Sequence, residues 1–172
     1  GMENQRYLNR AFLGYVNPPK KVIVYPLAED APLEDALSWM EAQTFDYIVG
    51  PVDCTPDEAK EIASWIKSQR ASRCVKYKAV LPHCAADHPG VVNFTTEGLL
   101  EGNAVHTTAA YCSRIAGLLA GTPMKSSATY APLSELTDVT RLSGEEQDEA
   151  VGSGELIVIW DGRKAKLNRA VN

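Results

Sequence analysis

No stretch of this 172-residue sequence approaches the roughly 18 consecutive apolar residues of a membrane span. Residues Gly1 to Tyr7 lack the apolar core of a secretory signal peptide. The four cysteines, Cys54, Cys74, Cys84 and Cys112, include no Cys-x-x-Cys pair, so zinc-knuckle and thioredoxin-like spacings are absent. Reduced, buried thiols are the expectation. Basic residues are outnumbered, 17 Lys and Arg against 22 Asp and Glu, for a net charge of −5. Neither nucleic acid nor a membrane is therefore expected as a partner. No Gly-x-Ser-x-Gly nucleophile elbow occurs. The glycine-bearing stretch Gly117 to Ser127 lacks the Gly-Lys-Ser/Thr ending of a phosphate loop and carries Pro123 where a helix would have to begin.

What is present reads as an ordinary globular domain, 45% hydrophobic and 23% charged. A chain of this length buries roughly two-thirds of its unfolded surface and needs no metal or disulfide staple. Lys21 to Leu27 is a β-branched run ended by proline and predicts a buried strand at 22–26. Leu33, Ala36, Leu37 and Met40 share a helical face and predict a helix over 32–43. Asp46 to Gly50 predicts a second strand. Thr55-Pro56-Asp57-Glu58 is a capping box with proline at the first helical position, opening a helix over 56–69. Strands follow at 76–81, stopped by Pro82, and at 91–94. A small-residue helix is expected over 107–120, with Gly121 as a left-handed cap and Pro123 as a stop. Gly117 suits close approach of a neighbouring element. Ser143-Gly144-Glu145-Glu146 is a second capping box, for a helix ending near Gly152. Asp161-Gly162 between two strand-like runs predicts a hairpin with a two-residue turn within 155–171.

Alternation of strands and amphipathic helices implies an α/β fold: an open three-layer sandwich with a mainly parallel central sheet and a C-terminal β-hairpin. Residues 1–19 read as an N-terminal lead and residues 20–172 as the α/β domain.

Chemistry has few footholds. His83-Cys84-Ala85-Ala86-Asp87-His88 follows a strand end and offers a thiol, two imidazoles and a carboxylate. Its spacing matches no closed zinc pattern, and a solvated loop is the preferred reading. A thiol nucleophile would pair Cys84 or Cys112 with His83, His88 or His106. Cys112 stands among Ala110, Ile115 and Ala116, which favours core packing. The acidic groups at Glu29-Asp30, Glu34-Asp35 and Glu145 to Glu149 suit helix N-termini or a solvated face. Trp39 and Trp65 suit packing. No catalytic, cofactor-binding or metal-ligating residue is assigned and no cofactor is expected. A small α/β enzyme or ligand-binding domain using the His83–His88 loop remains the alternative.

Several segments together resemble the tail sheath proteins of contractile bacteriophages and phage-like elements. They are Ala11 to Gly14 with Pro18 to Val24; Phe45 to Ile48 with Trp65 to Lys67 and Arg70; and Val75 to Pro82 with Gly90 to Phe94. The most specific is Arg114 to Tyr130, and the last is Gly154 to Val158 with Arg169 to Asn172. The resemblance implies a structural virion protein with no catalytic set. It further implies self-assembly around the tail tube, contacts with baseplate proteins, and a place in the tail of a particle made in the host bacterial cytoplasm. Family subunits are usually longer, so the chain is expected to be an excised central piece or a truncated homologue. The terminal arms that donate strands to neighbouring subunits are expected to lie outside it. Charges at Arg163, Lys164, Lys166 and Arg169 would then guard a bare hairpin edge.

Overall fold

The Thr55 capping box forms as the sequence predicts. Glu58 N donates to Thr55 Oγ1 at 3.2 Å, and Thr55 N donates back to Glu58 Oε2 at 2.8 Å. It opens the longest helix in a computed structural model that describes residues 1–169. In chain order the elements are α1 (Met2–Ala11), α2 (Leu33–Met40), β1 (Tyr47–Val49), α3 (Pro56–Arg73), β2 (Lys78–Pro82) and β3 (Val91–Phe94). There follow β4 (Leu99–Glu101), β5 (Ala104–His106), α4 (Thr108–Gly121), α5 (Gly144–Gly152), β6 (Glu155–Leu156), β7 (Val158–Trp160) and β8 (Ala165–Leu167).

The central sheet runs β1-β2-β3-β6 with every pair parallel. Its strands alternate between two cores, as period-2 geometry requires. Ile48, Ala79 and Leu81 pack with Ala59, Ile62, Ala63 and Ile66 of α3. Val80, Val92 and Phe94 pack with Tyr111, Ile115 and Leu118 of α4. Sheet and helices therefore make the expected three layers.

The β2–β3 connection, residues 83–90, returns the chain to a parallel neighbour without a helix. Such crossovers usually take about a dozen residues or more. The path is compressed by positive φ at His83 and Asp87 (46° and 44°). It is fastened to α3 by Lys67 Nζ, which donates to Ala86 O at 3.1 Å.

Five expectations are corrected. Residues 22–26 form no strand. Val24 is 49% exposed, Pro26 has no amide to donate, and the sheet ends at β1. The β-branched run instead lies in an irregular segment whose Tyr25 ring sits 5.4 Å from that of Trp39. Gly121 lacks the positive φ of a left-handed cap; it is the last residue of α4, capped by extended Thr122. The run 155–160 is divided at Ile157. Glu155 and Leu156 join β3, while Val158 to Trp160 pair with Ala165 to Leu167. The turn falls one residue later than Asp161-Gly162: Trp160 faces Ala165 and Asp161 N donates to Lys164 O at 3.1 Å, which leaves Gly162-Arg163 at the tip. Asp161 Oδ1 accepts from the amides of Arg163 and Lys164, both at 2.9 Å, and so organises the loop. Val171 lies outside the described residues. Lastly, the outer edge of β8 is not bare. Leu133 N donates to Ala165 O at 3.0 Å and Leu167 N to Ala131 O at 2.9 Å, so residues 131–133 cover it.

The sequence reading also leaves the β4–β5 hairpin unassigned. Its turn is Gly102-Asn103, with Gly102 at φ +60° between paired Glu101 and Ala104. A Gly-Asn dipeptide is a hairpin signal, and here it holds despite weakly apolar flanks.

Gly117 and Gly121 have one shared role. A Cβ at Gly117 would overlap the Ala11 carbonyl, and one at Gly121 the Asn17 carbonyl. This bare stripe lets α1 and the chain after it lie directly on α4. The second tie is Arg114, which is 3% exposed. Its Nη1 donates to Gly14 O at 2.8 Å and its Nε to Glu135 Oε1 at 2.7 Å. The Tyr111 hydroxyl donates to the same Glu135 oxygen at 2.6 Å. Burial pushes the Glu135 carboxyl up, but the hydrogen bond and charge of Arg114, joined by Tyr111, outweigh it and leave the pKa below its ordinary value.

Gly117→Ala should destabilise the protein by about 1–3 kcal/mol through overpacking, read as a lower urea midpoint with an unchanged slope. Glu135→Ala should cost about 3 kcal/mol at neutral pH by stranding a buried guanidinium. Because the folded pKa of Glu135 is depressed, that stabilisation is complete above about pH 4.3 and is lost as pH falls through the lower folded value. Urea titrations of both proteins at neutral pH and at about pH 3 should show the gap closing on acidification.

Candidate functional site

The His83–His88 loop does not assemble a reactive centre. His83 Nε2 lies 3.1 Å from Thr108 Oγ1 and 3.5 Å from Glu97 Oε1, at the start of α4. His88 Nδ1 accepts from Gly90 N at 2.9 Å and so shapes the turn into β3. Cys84 is buried against α3, its Sγ donating to Ala59 O at 3.9 Å. Among the described residues, no three His, Cys, Asp or Glu side chains come together as metal ligands.

Three of the four thiols are buried as expected, Cys74 being exposed, and the buried three are not activated. Burial pushes the Cys54 thiol up to about 12, and raises Cys84 and Cys112 as well. Cys112 Sγ donates to Thr108 O at 3.5 Å inside α4, in the core position its apolar neighbours suggested. His106, weighed in the sequence as a partner for a thiol, faces α1 instead.

The densest polar constellation lies where α1 meets α4 and the β4–β5 hairpin. Sequence reasoning missed it, although Tyr7, Arg10 and Ala11 at i, i+3 and i+4 are the signal of a docked face. The Tyr7 hydroxyl donates to Gly50 O at 2.9 Å, and Ser113 Oγ donates to Tyr7 O at 2.6 Å. Arg10, 7% exposed, donates through Nη1 to Ala110 O at 3.3 Å. Its Nε lies 3.6 Å from Glu101 Oε2, and its Nη2 lies 3.2 Å from both ring nitrogens of His106. His106 Nε2 is in turn 3.1 Å from Glu101 Oε2. All donors meet acceptors when Nε2–H donates to Glu101 and Nδ1 accepts from Arg10. Both Arg10 and His106 lie against the Tyr111 ring, at 5.5 and 6.0 Å from its centroid. Burial lowers the His106 pKa, and the Arg10 charge lowers it further against the opposing pull of Glu101.

Beside this cluster a cleft of about 410 Å³ opens between Arg6, Asn9 and Leu13 of the N-terminal segment and Glu101, Ala104 and His106. Apolar side chains stand out beside it, with Val105 69% and Leu13 52% exposed. The arrangement suits docking and packing. It brings no nucleophile to a base.

Comparison with known proteins agrees in kind. The family model for the phage tail sheath protein central domain matches residues 28–172. The tail sheath protein of Clostridium phage phiCD119 is 33% identical over 175 residues, covering 99% of this chain and 49% of that protein. Two solved sheath tail proteins share the fold. That of Desulfitobacterium hafniense has a TM-score of 0.77 at 22% identity, over 86% of this chain and 36% of the other. That of Listeria innocua has a TM-score of 0.76 at 24% identity, over 88% and 36%. The chain thus spans about half the length of the curated relative and about a third of each solved one. By the family match over residues 28–172 and the 33% identity along 99% of its length, the chain belongs to the phage tail sheath family, to whose central domain residues 28–172 correspond.

Proposed function

We propose that these residues serve as the central domain of a structural sheath subunit, one that polymerises around the tail tube of a contractile phage or phage-like particle. The observation that carries this reading is the 33% identity to a tail sheath protein over 99% of the chain. Residues 20–172 form the sheath-like domain, and residues 1–19 are a lead docked on it. The subunit is not an enzyme. Its partners are other copies, the tube and the baseplate, and it is made in the host cytoplasm before it enters the particle.

Strand addition supplies the contacts between copies. The acceptor we favour is β1, which ends the central sheet. At the other end of the sheet β6 is only two residues long, and the edges of β8 and β4 are already occupied. Residues 131–133 lie on β8, and Leu100 exchanges main-chain bonds with Thr137 and Asp138. Donor strands come from arms in the part of the subunit beyond this domain.

Size exclusion with light scattering should find the 172-residue chain monomeric or weakly dimeric, while electron microscopy of the longer gene product should show tubes. Tubes from this chain alone would disprove the arm account, and a longer product that never assembles would overturn the sheath reading. Elemental analysis of protein purified without chelator should find no stoichiometric metal. Zinc held by Cys84 and His88 would instead favour the ligand-binding alternative.

A further inference from the structure

We propose that Arg10, Glu101 and His106 form an acid-sensitive latch: mild acidification loosens the docking of helix α1 on α4 while the central sheet and the Arg114 tie stay in place. The inference concerns the fold of this chain and does not depend on the sheath reading.

The geometry starts with Arg10. Its guanidinium is buried, and among the described residues only one carboxylate, Glu101, lies within ion-pair distance of it. That carboxylate is itself 40% exposed and shared with His106. The remaining acceptors on Arg10 are neutral: the Ala110 carbonyl and a His106 ring nitrogen. His106 acts as that acceptor only while it is neutral. A proton on Nδ1 replaces the lone pair with an N–H that points at the guanidinium, and brings a second positive charge within 3.2 Å of it.

The charged and titratable groups around the ring come from each packed element. They are Arg6 and Arg10 on α1, Glu101 on β4 and Tyr111 on α4. The two arginines oppose protonation and Glu101 favours it. Burial decides the balance, so the docked state keeps the imidazole neutral below the ordinary range. Undocking exposes His106 and returns it toward a pKa of about 6.5. The released state therefore binds more protons, and docking weakens as pH falls below about 6.5.

The second anchor behaves differently. Glu135 is held below its usual pKa by Arg114 and Tyr111, so the tie to Gly14 outlasts the Arg10 cluster on acidification. The Tyr7 and Ser113 bonds to Gly50 and Tyr7 contain no group that titrates between neutral and mildly acid pH. They keep Tyr7 in place at both pH values, so acidification weakens the α1 contact by what Arg10 and His106 contribute to it.

Hydrogen exchange, corrected for intrinsic rates, should be followed at about pH 7 and about pH 5 in the 172-residue protein and in its His106→Gln variant. Gln can accept from Arg10 and donate to Glu101 but does not titrate. In the wild type, amides of α1 should lose protection several-fold at the lower pH while those of α3 keep theirs. In His106→Gln the α1 response should vanish. Unchanged α1 protection in the wild type, or an equal acid response in the variant, would overturn the latch. Should the variant leave α1 unprotected at both pH values, an NMR titration of the wild-type His106 ring decides. A midpoint below that of a free histidine supports the latch, and a normal or raised one refutes it.

Discussion

The buried guanidinium of Arg114 is the joint on which the α4 side of the molecule depends. It reaches the main chain after α1 at Gly14, the carboxylate of Glu135 in the long connection before α5, and through that carboxylate the hydroxyl of Tyr111. These segments are distant in sequence and share no strand pairing. A charge so well buried is tolerated only when every donor is matched, so its partners must sit in one arrangement. That requirement positions the irregular segments that no secondary structure could place.

Close approach is the complementary constraint. Gly117 and Gly121 remove side chains from the line on α4 where the carbonyls of Ala11 and Asn17 rest. The polar ties at Tyr7, Arg10 and Gly14 then hold a segment that already lies at backbone contact. The consequence is a lead that is part of the body of the domain, with Tyr7 and Ala11 in its buried set.

The α3 side has another logic. Its helix is apolar toward the sheet and tied at its end to α2, where Gln69 Nε2 donates to Glu41 Oε1 at 2.9 Å and Arg73 Nη1 to Glu41 O at 2.8 Å. The short β2–β3 return is held on this side too, with Cys84 in the α3 core. The histidines of that loop therefore serve as turn and cap partners, which is how a chemically suggestive string becomes a structural one.

Local signals determined much of this from sequence. Both capping boxes, the starts of α3, α4 and α5, and the strands at 47–49, 78–82 and 91–94 follow from side-chain to backbone bonds a few residues apart and from apolar period. The caps are complete within one helix, so the sequence expresses them directly, and the three strands formed where their apolar runs also found parallel partners. The strand expected at 22–26 failed for the opposite reason. Its residues suit a strand, but a strand needs a partner, and tertiary structure gave that sheet end to β1. The same holds for Gly121, whose bare surface answers to Asn17 and not to its own helix, and for the break at Ile157, where one run serves two sheets. The Arg10–Glu101–His106 cluster joins side chains that sequence separation keeps apart. Only folding supplies their mutual burial, and burial is what turns those ordinary side chains into a coupled set.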